Sequence, residues 1–326
     1  MARFKLPPWL LLGGAVIGGW ALYSSLVVDH DMPIGPAVDA PRENFHGKKS
    51  TLMSYYADLD TEGRPLVLLH SINAAANAYE VRPLFQHYGL KRPVYALDLP
   101  GFGFSERTNR EYSTELYVNS ITDFLQQVVG EPADVLALSL TSEFAALAAH
   151  QNPDLFHSLT LISPTGLTPK MAKRVSQSAQ ENDQSDGVYK FLSNPVWSQR
   201  LYDLLTTKPS LRFFLSLNFY GEIDEGLFDY HYRSTHQPNA RYAPLKFVSG
   251  SLFTPDIAEF TYKHLTVPTL LLYDEDPNVN FDLLPEILTS NDNWRARRIL
   301  NTRGLPHFER LDMTVNALED FWNDIG

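Results

Sequence analysis

Short apolar runs of strand length alternate with helical periodicity along most of the chain. Ser50–Ala57, Pro65–His70, Pro93–Leu97, Val135–Ser139, Leu159–Ile162, Pro268–Tyr273 and Ala296–Asn301 read as strands. Between them Tyr117, Ile121, Phe124, Leu125 and Val128 fall on one helical face, as do Phe144, Leu147 and Ala148. A strand, loop, helix rhythm of this kind predicts a mostly parallel sheet with helices on both faces. The rhythm stops after Ser163-Pro164-Thr165-Gly166 and resumes at Thr266-Val267-Pro268. The stretch between, about 100 residues, is too long for a connecting loop and predicts an inserted, mainly helical subdomain. It begins with a polar loop, Ser176 to Gly187, and continues rich in aromatics such as Tyr189, Trp197, Phe214 and Tyr230. Singly these pack the insert; as a group they are expected to wall an apolar pocket.

The amino terminus departs from this pattern. Trp9 to Val28 is a run without a charge, and about 20 residues of helix at about 1.5 Å each match the ~30 Å hydrocarbon thickness of a bilayer. Arg3 and Lys5 precede it and Asp29 and Asp31 follow, so the charge bias sets the amino terminus in the cytoplasm and the remainder across the membrane. A cleaved signal peptide competes, although its apolar core runs only about 7–15 residues and the nearest small-residue site, Val38-Asp39-Ala40, is followed by Pro41. Gly14 and Gly18 form a Gly-x-x-x-Gly pair of the kind that brings two anchors together. The expected order is a short cytoplasmic segment (1–8), a transmembrane signal anchor (9–28), a linker (29–44), a first core segment (45–166), a helical cap (167–265) and a second core segment (266–326), with the catalytic domain extracytoplasmic.

Composition narrows the function classes. The chain has 326 residues, with 27 Lys plus Arg against 38 Asp plus Glu, a net charge of −11. That balance excludes a dedicated nucleic-acid binder, which needs a basic surface. Its 44% hydrophobic content is that of a globular protein. The absence of cysteine removes disulfides, thiolate metal sites and Cys nucleophiles together. No P-loop or complete glycine-rich dinucleotide fingerprint is present, since Gly101-Phe102-Gly103 lacks a third glycine, and neither a metal nor an organic cofactor is expected.

The strongest local signal for chemistry is Val135-Leu136-Ala137-Leu138-Ser139-Leu140-Thr141-Ser142-Glu143-Phe144. A serine at a strand tip that enters a helix through a tight turn holds its hydroxyl up and sets the next backbone N–H at a helix N-terminus. Ala137 is small enough for the close strand–helix approach, while Thr141 is larger than the usual glycine. Ser139 would also serve as an ordinary helix cap.

Two further segments bear on that choice. One strand ends in His70-Ser71-Ile72, and another is followed by Asp98-Leu99-Pro100-Gly101-Phe102-Gly103-Phe104-Ser105. With these, the chain after about residue 45 resembles the α/β-hydrolase family, in which an Asp-x-Pro-Gly-x-Gly-x-Ser motif precedes the nucleophile elbow and a cap follows the next strand. The resemblance implies that Ser139 occupies the nucleophile slot, in a serine hydrolase branch, and that the backbone N–H groups of Ile72 and Leu140 form the oxyanion site. The family's His-Gly is His70-Ser71 here, and His70 itself reads as structural. Leu271-Leu272-Tyr273-Asp274-Glu275-Asp276-Pro277 aligns with the family's acid strand and puts Asp276 in the acid slot, with Asp274 or Glu275 as substitutes if the turn is tighter.

At the histidine the pattern breaks. The family reads Gly-His-x-Pro-x-x-Glu, whereas this chain reads Arg303-Gly304-Leu305-Pro306-His307-Phe308-Glu309, so the slot holds Gly304. Either the loop takes another path and His307 swings in as general base, or His307 is a buried helix-start residue and the triad is lost. Two function classes follow: a serine hydrolase that cleaves an apolar ester through Ser139, His307 and Asp276, and a non-catalytic relative that binds a small apolar ligand or partner in the cap pocket. Glu181, Asp183 and Asp186 read as a solvated loop, and Arg295-Ala296-Arg297-Arg298 as charges that protect an edge strand.

Overall fold

The structure is a computed structural model that describes residues 18–169 and 182–326, the side chains of 182–186 excepted. Eight strands form one sheet in the order β1-β2-β4-β3-β5-β6-β7-β8. They are β1 Arg42–His46, β2 Leu52–Asp58, β3 Leu66–Leu69, β4 Val94–Leu97, β5 Ala133–Leu138, β6 Phe156–Ile162, β7 Thr269–Tyr273 and β8 Trp294–Arg298. β2 pairs antiparallel with β1 and β4, and the remaining neighbours are parallel.

The central strands β3, β4 and β5 are buried on both faces, which is why they appear in the sequence as mostly apolar runs. Leu66 and Leu68 point to one core, Val67 and Leu69 to the other. The first core is closed by helices Arg82–Gly89 and Leu311–Ile325 through Leu84, Phe85, Leu318 and Phe321. The second is closed by Thr114–Phe124 and Thr141–Gln151 through Tyr117, Phe124 and Phe144. β1 is not among the strands the sequence predicts, because Arg42-Glu43-Asn44-Phe45-His46 carries no apolar alternation; it lies mostly exposed at one edge. At the other edge β8 exposes Arg295, Arg297 and Arg298.

The insertion between β6 and β7 is helical over its described length, with Asn182–Leu192, Ser198–Leu205, Lys208–Ser216, Glu225–Thr235 and Tyr242–Val248 as its main helices. Of the polar stretch Ser176–Gly187, residues up to Glu181 lie outside the described residues, and helix runs from Asn182. The helices sit over the carboxyl ends of β3, β5, β6 and β7, so the loops after those strands face a cavity and not solvent.

The amino-terminal expectation requires correction. Trp9–Ile17, with Gly14, lie outside the described residues, and among the described residues no helix is long and apolar enough to cross a membrane. The described half of the uncharged run is a short helix, 18–26, that packs on the cap. Trp20 Nε1 donates to the Arg200 carbonyl at 2.9 Å, and Arg200 donates to Ser25 Oγ at 3.3 Å. Ser24 is 1% exposed and donates to Asp203, the carboxylate that also meets His30 at 3.0 Å. A run without charges still carries hydrogen-bonding groups, and here the Trp20 indole N–H and the Ser24 and Ser25 hydroxyls meet protein partners. The transmembrane helix, the membrane as partner and the extracytoplasmic placement, all of which rested on that span, fall with it.

Candidate active site

β5 is fully buried and ends at Leu138, after which the chain must turn into helix Thr141–Gln151 within two residues. Ser139 takes up that turn with φ +49°, a left-handed conformation that costs a non-glycine residue about 1–2 kcal/mol. Its N–H donates to the Ile162 carbonyl at 2.9 Å, and its own carbonyl accepts from Ser142 N–H at 3.0 Å. Thr141, large for this turn, is fully buried and donates through Oγ1 to the His70 carbonyl at 2.7 Å. It therefore ties the elbow to the loop after β3.

That loop carries Ser71 and Ile72. His70 is fully buried; its Nε2 accepts from Leu99 N–H at 3.0 Å, so the proton sits on Nδ1, which donates to the Ser71 carbonyl at 2.6 Å. Burial pushes its pKa down, consistent with a neutral ring. Among the described residues the N–H groups of Ile72 and Leu140 make no backbone hydrogen bond, and both residues line the cavity with Ser139. The Asp98–Ser105 motif is a strut beside this loop: Asp98 accepts from Ala78 N–H at 3.2 Å and Phe104 N–H at 2.9 Å. Gly103, at φ +52°, is required because a Cβ there would lie 1.9 Å from the Asp98 carboxyl carbon.

The cavity has a volume of about 480 Å³ and a largely apolar wall, with Leu138, Leu211, Phe214, Phe253 and Val279 among its residues. Asp276 reaches it from the loop after β7. Burial raises the Asp276 pKa, against the N–H groups of Asn278 and Val279 and the charge of Arg303. The two substitute acids are elsewhere: Asp274 accepts from Arg298 Nε at 2.6 Å and Thr302 N–H at 3.1 Å, and Glu275 is exposed.

Gly304 also lines the cavity, and a Cβ built on it would lie 3.5 Å from Asp276 Oδ2 and 3.0 Å from Asn218 Oδ1. Gly304 thus stands beside Asp276, at the position where the resemblance implies a histidine, and puts no side chain into the cavity. The structure does not bring His307 to the cavity wall. His307 is fully buried at the start of the short helix Pro306–Glu309, where Nε2 donates to the Glu80 carbonyl at 2.6 Å and Nδ1 has no hydrogen-bond partner. Burial holds its pKa down at about 4, so the ring is neutral. Proline at the preceding position starts the helix there.

Two residues that sequence reasoning did not single out share the cavity with Ser139. Glu80, on the turn Ala78–Val81, accepts from Ser71 N–H at 2.8 Å and Asn73 Nδ2 at 3.0 Å. His231, on cap helix Glu225–Thr235, directs Nε2 at Glu80 Oε1 from 3.6 Å. Burial alone would raise the Glu80 pKa; the His231 interaction, the neighbouring His70 ring and the Ser71 N–H outweigh it and hold the carboxyl at about 2. The available signal for His231 was its spacing: Leu227, His231 and Ser234 form the buried stripe of that helix, a polar side chain on an apolar face. Among the described residues no group of three or more His, Asp or Glu is placed to hold a metal ion.

A family model described as the alpha/beta hydrolase fold matches residues 64–209. Among solved structures, the chain is similar to a serine hydrolase involved in carbazole degradation, at 17% identity and a TM-score of 0.69 over 87% of this chain and 99% of that one. It is similar to a mutant of a meta-cleavage product hydrolase from Pseudomonas fluorescens, at 17% identity and TM-score 0.63 over 87% and 98% of the two chains. It also resembles a membrane phospholipase A described as a bacterial virulence factor, at 16% identity and TM-score 0.66 over 97% of each. At such identities the likeness is one of fold. A search of the curated proteins finds no match.

Proposed function

From the premise that this chain is an α/β-hydrolase-fold protein with serine at the nucleophile elbow, we propose that it is a serine hydrolase that cleaves an apolar ester or related acyl substrate at Ser139. The observation that carries this reading is the left-handed Ser139 on the wall of a largely apolar cavity of about 480 Å³, next to the N–H groups of Ile72 and Leu140. Strain of this kind persists where the surroundings over-determine it, and a plain helix cap would not need it.

The Ser139 hydroxyl oxygen attacks the acyl carbon, and the carbonyl oxygen takes up the negative charge against the Ile72 and Leu140 N–H groups. Collapse expels the alcohol and leaves an acyl-enzyme, which water releases. Removing one such oxyanion donor in a serine hydrolase costs on the order of 10²–10³ in rate, so both loops are integral to turnover. The apolar wall selects the acyl part by burial, at roughly 25 cal/mol per Å² removed from water.

Gly304 in the histidine slot favours a second reading, that the cavity binds an apolar ligand and does not turn it over. Labelling with a fluorophosphonate probe separates the two. Labelling of the wild-type chain that Ser139→Ala abolishes is the expected result; an unlabelled, folded wild-type chain would leave the binding reading standing and remove the hydrolase.

A further inference from the structure

We propose that His231, carried by the cap, is the general base for Ser139, with Glu80 as its positioning residue. The inference rests on the reading of Ser139 as nucleophile. Of the ten histidines in the chain, His231 is the one on the wall of the cavity that holds Ser139. The others have partners elsewhere or lie away from it: His70 spends both ring nitrogens on Ser71 and Leu99, His307 serves the Glu80 carbonyl, His157 meets Asp134 at 2.8 Å and His30 meets Asp203 at 3.0 Å.

His231 is only 5% exposed, yet Nε2 has no hydrogen-bond partner and lies 3.6 Å from Glu80 Oε1. A buried ring nitrogen left slightly short of its acceptor is costly as mere architecture. It is the geometry expected of a base that charges during turnover, since the imidazolium draws the carboxylate in. Glu80 is fixed for that task by the oxyanion loop, with Ser71 N–H donating to Oε2 and Asn73 Nδ2 donating to Oε1, the oxygen that His231 faces. A carboxylate that titrates at about 2 stays ionised throughout the working range.

The proposed step balances in bonds and protons. With Nε2–H turned to Glu80, Nδ1 takes the proton from Ser139 Oγ as Oγ bonds to the acyl carbon and the carbonyl π pair moves to oxygen. When that pair returns, the bond to the leaving alcohol breaks and its oxygen takes the proton from Nδ1. Water repeats the sequence on the acyl-enzyme, and Ser139 regains its proton. Glu80 remains a carboxylate throughout, as does the acid of a conventional triad. The titratable groups facing His231 are Glu80 and His70; on the neighbouring cap helix Arg212 is occupied by Glu225 at 2.7 Å.

The test is the rate of fluorophosphonate labelling of the full chain between pH 5 and 9, for wild type, His231→Ala, His231→Gln, Glu80→Gln and His307→Gln, each checked for a cooperative melt. The two His231 variants are expected to label on the order of 10²–10⁴-fold more slowly, and free imidazole to recover part of the rate for His231→Ala. Glu80→Gln is expected to lower the rate and to move the pH midpoint down, because loss of the carboxylate disfavours the imidazolium. A structural defect in the oxyanion loop would lower the rate without moving the midpoint. His307→Gln is expected to keep the wild-type midpoint. Folded His231 variants that label at the wild-type rate, or a midpoint that follows His307, would overturn the assignment while the Ser139 reading stands. A wild-type chain that does not label removes both.

Discussion

Substitution of Gly304 by histidine tests whether the family's base slot is still framed for catalysis. Gly304 has no left-handed φ, so a side chain is not refused by the backbone. Its Cβ would meet Asn218 Oδ1 at 3.0 Å, which requires that half-buried side chain to give by a few tenths of an ångström, and Asp276 Oδ2 at 3.5 Å, which is the acid an imidazole in this slot should address. Loss of a triad histidine costs on the order of 10⁶-fold in rate, about 8 kcal/mol of transition-state stabilisation. Displacing Asn218 costs about 1 kcal/mol, and imperfect alignment of a ring not selected for the site takes more. A gain of about 10–10³-fold in kcat/KM is therefore expected where His231 has first been removed, that is, for Gly304→His in the His231→Ala background. The assay is hydrolysis of short p-nitrophenyl esters alongside probe labelling. Gly304→Ala supplies the Cβ without the ring, and Asp276→Asn in the Gly304→His chain should erase the gain. A rate no higher than that of Gly304→Ala, or a gain that survives Asp276→Asn, would refute the placement of Asp276 and Ser139 around this slot.

Two stability predictions follow from buried groups near the elbow. Burial raises the Glu143 carboxyl to about 7, against hydrogen bonds from Thr165 and the Thr254 N–H; because the folded pKa lies above the unfolded value near 4.5, its stabilising contribution is full below pH 4.5 and is lost as pH rises through 7. Glu143→Gln should therefore match wild type near pH 5 and exceed it by about 3 kcal/mol in denaturant unfolding at pH 8, and a pH-independent difference would count against this account. His307 has the opposite sign: its pKa falls from about 6.5 to about 4 on folding, so its contribution is full above pH 6.5 and is lost as pH falls through 4. His307→Gln, which keeps a donor for the Glu80 carbonyl, should remove about 3 kcal/mol of the acid-side loss between pH 6.5 and 4, as read by urea unfolding at several pH values.

The fold was legible wherever burial on both faces left a mark. β3, β4 and β5 are mostly apolar runs because every residue in them is buried, and the Asp98–Ser105 motif is readable because Gly103 is sterically obligatory against the Asp98 carboxylate. β1 carried no such mark, since an edge strand with mostly exposed side chains has no buried face to encode. The uncharged run before Asp29 misled for a related reason: hydropathy counts charges and apolar bulk, whereas Trp20, Ser24 and Ser25 matter here as hydrogen-bonding groups against Arg200 and Asp203.

The proposed base, His231, escaped sequence reasoning for a reason that lies in the order of the chain. Motif logic looks for the histidine after the acid strand, where Gly304 and His307 stand, but a helix of the inserted cap lies over the same strand ends and delivers side chains from upstream of Asp276. Which face of that helix looks down is decided by tertiary seating and leaves no fixed spacing to Ser139. The seat is specific: Tyr79, one residue before Glu80, stacks obliquely on Tyr230, one residue before His231, with ring centroids 5.1 Å apart, and a Cβ on Gly226 would lie 2.4 Å from the Tyr79 hydroxyl. Adjacent residues on both sides of that contact place carboxylate and imidazole together, so whatever unseats the Tyr79–Tyr230 pair also withdraws His231 from Glu80. In this arrangement a cap that shapes the substrate pocket also carries the base, and substrates that splay the cap would lose rate as well as affinity.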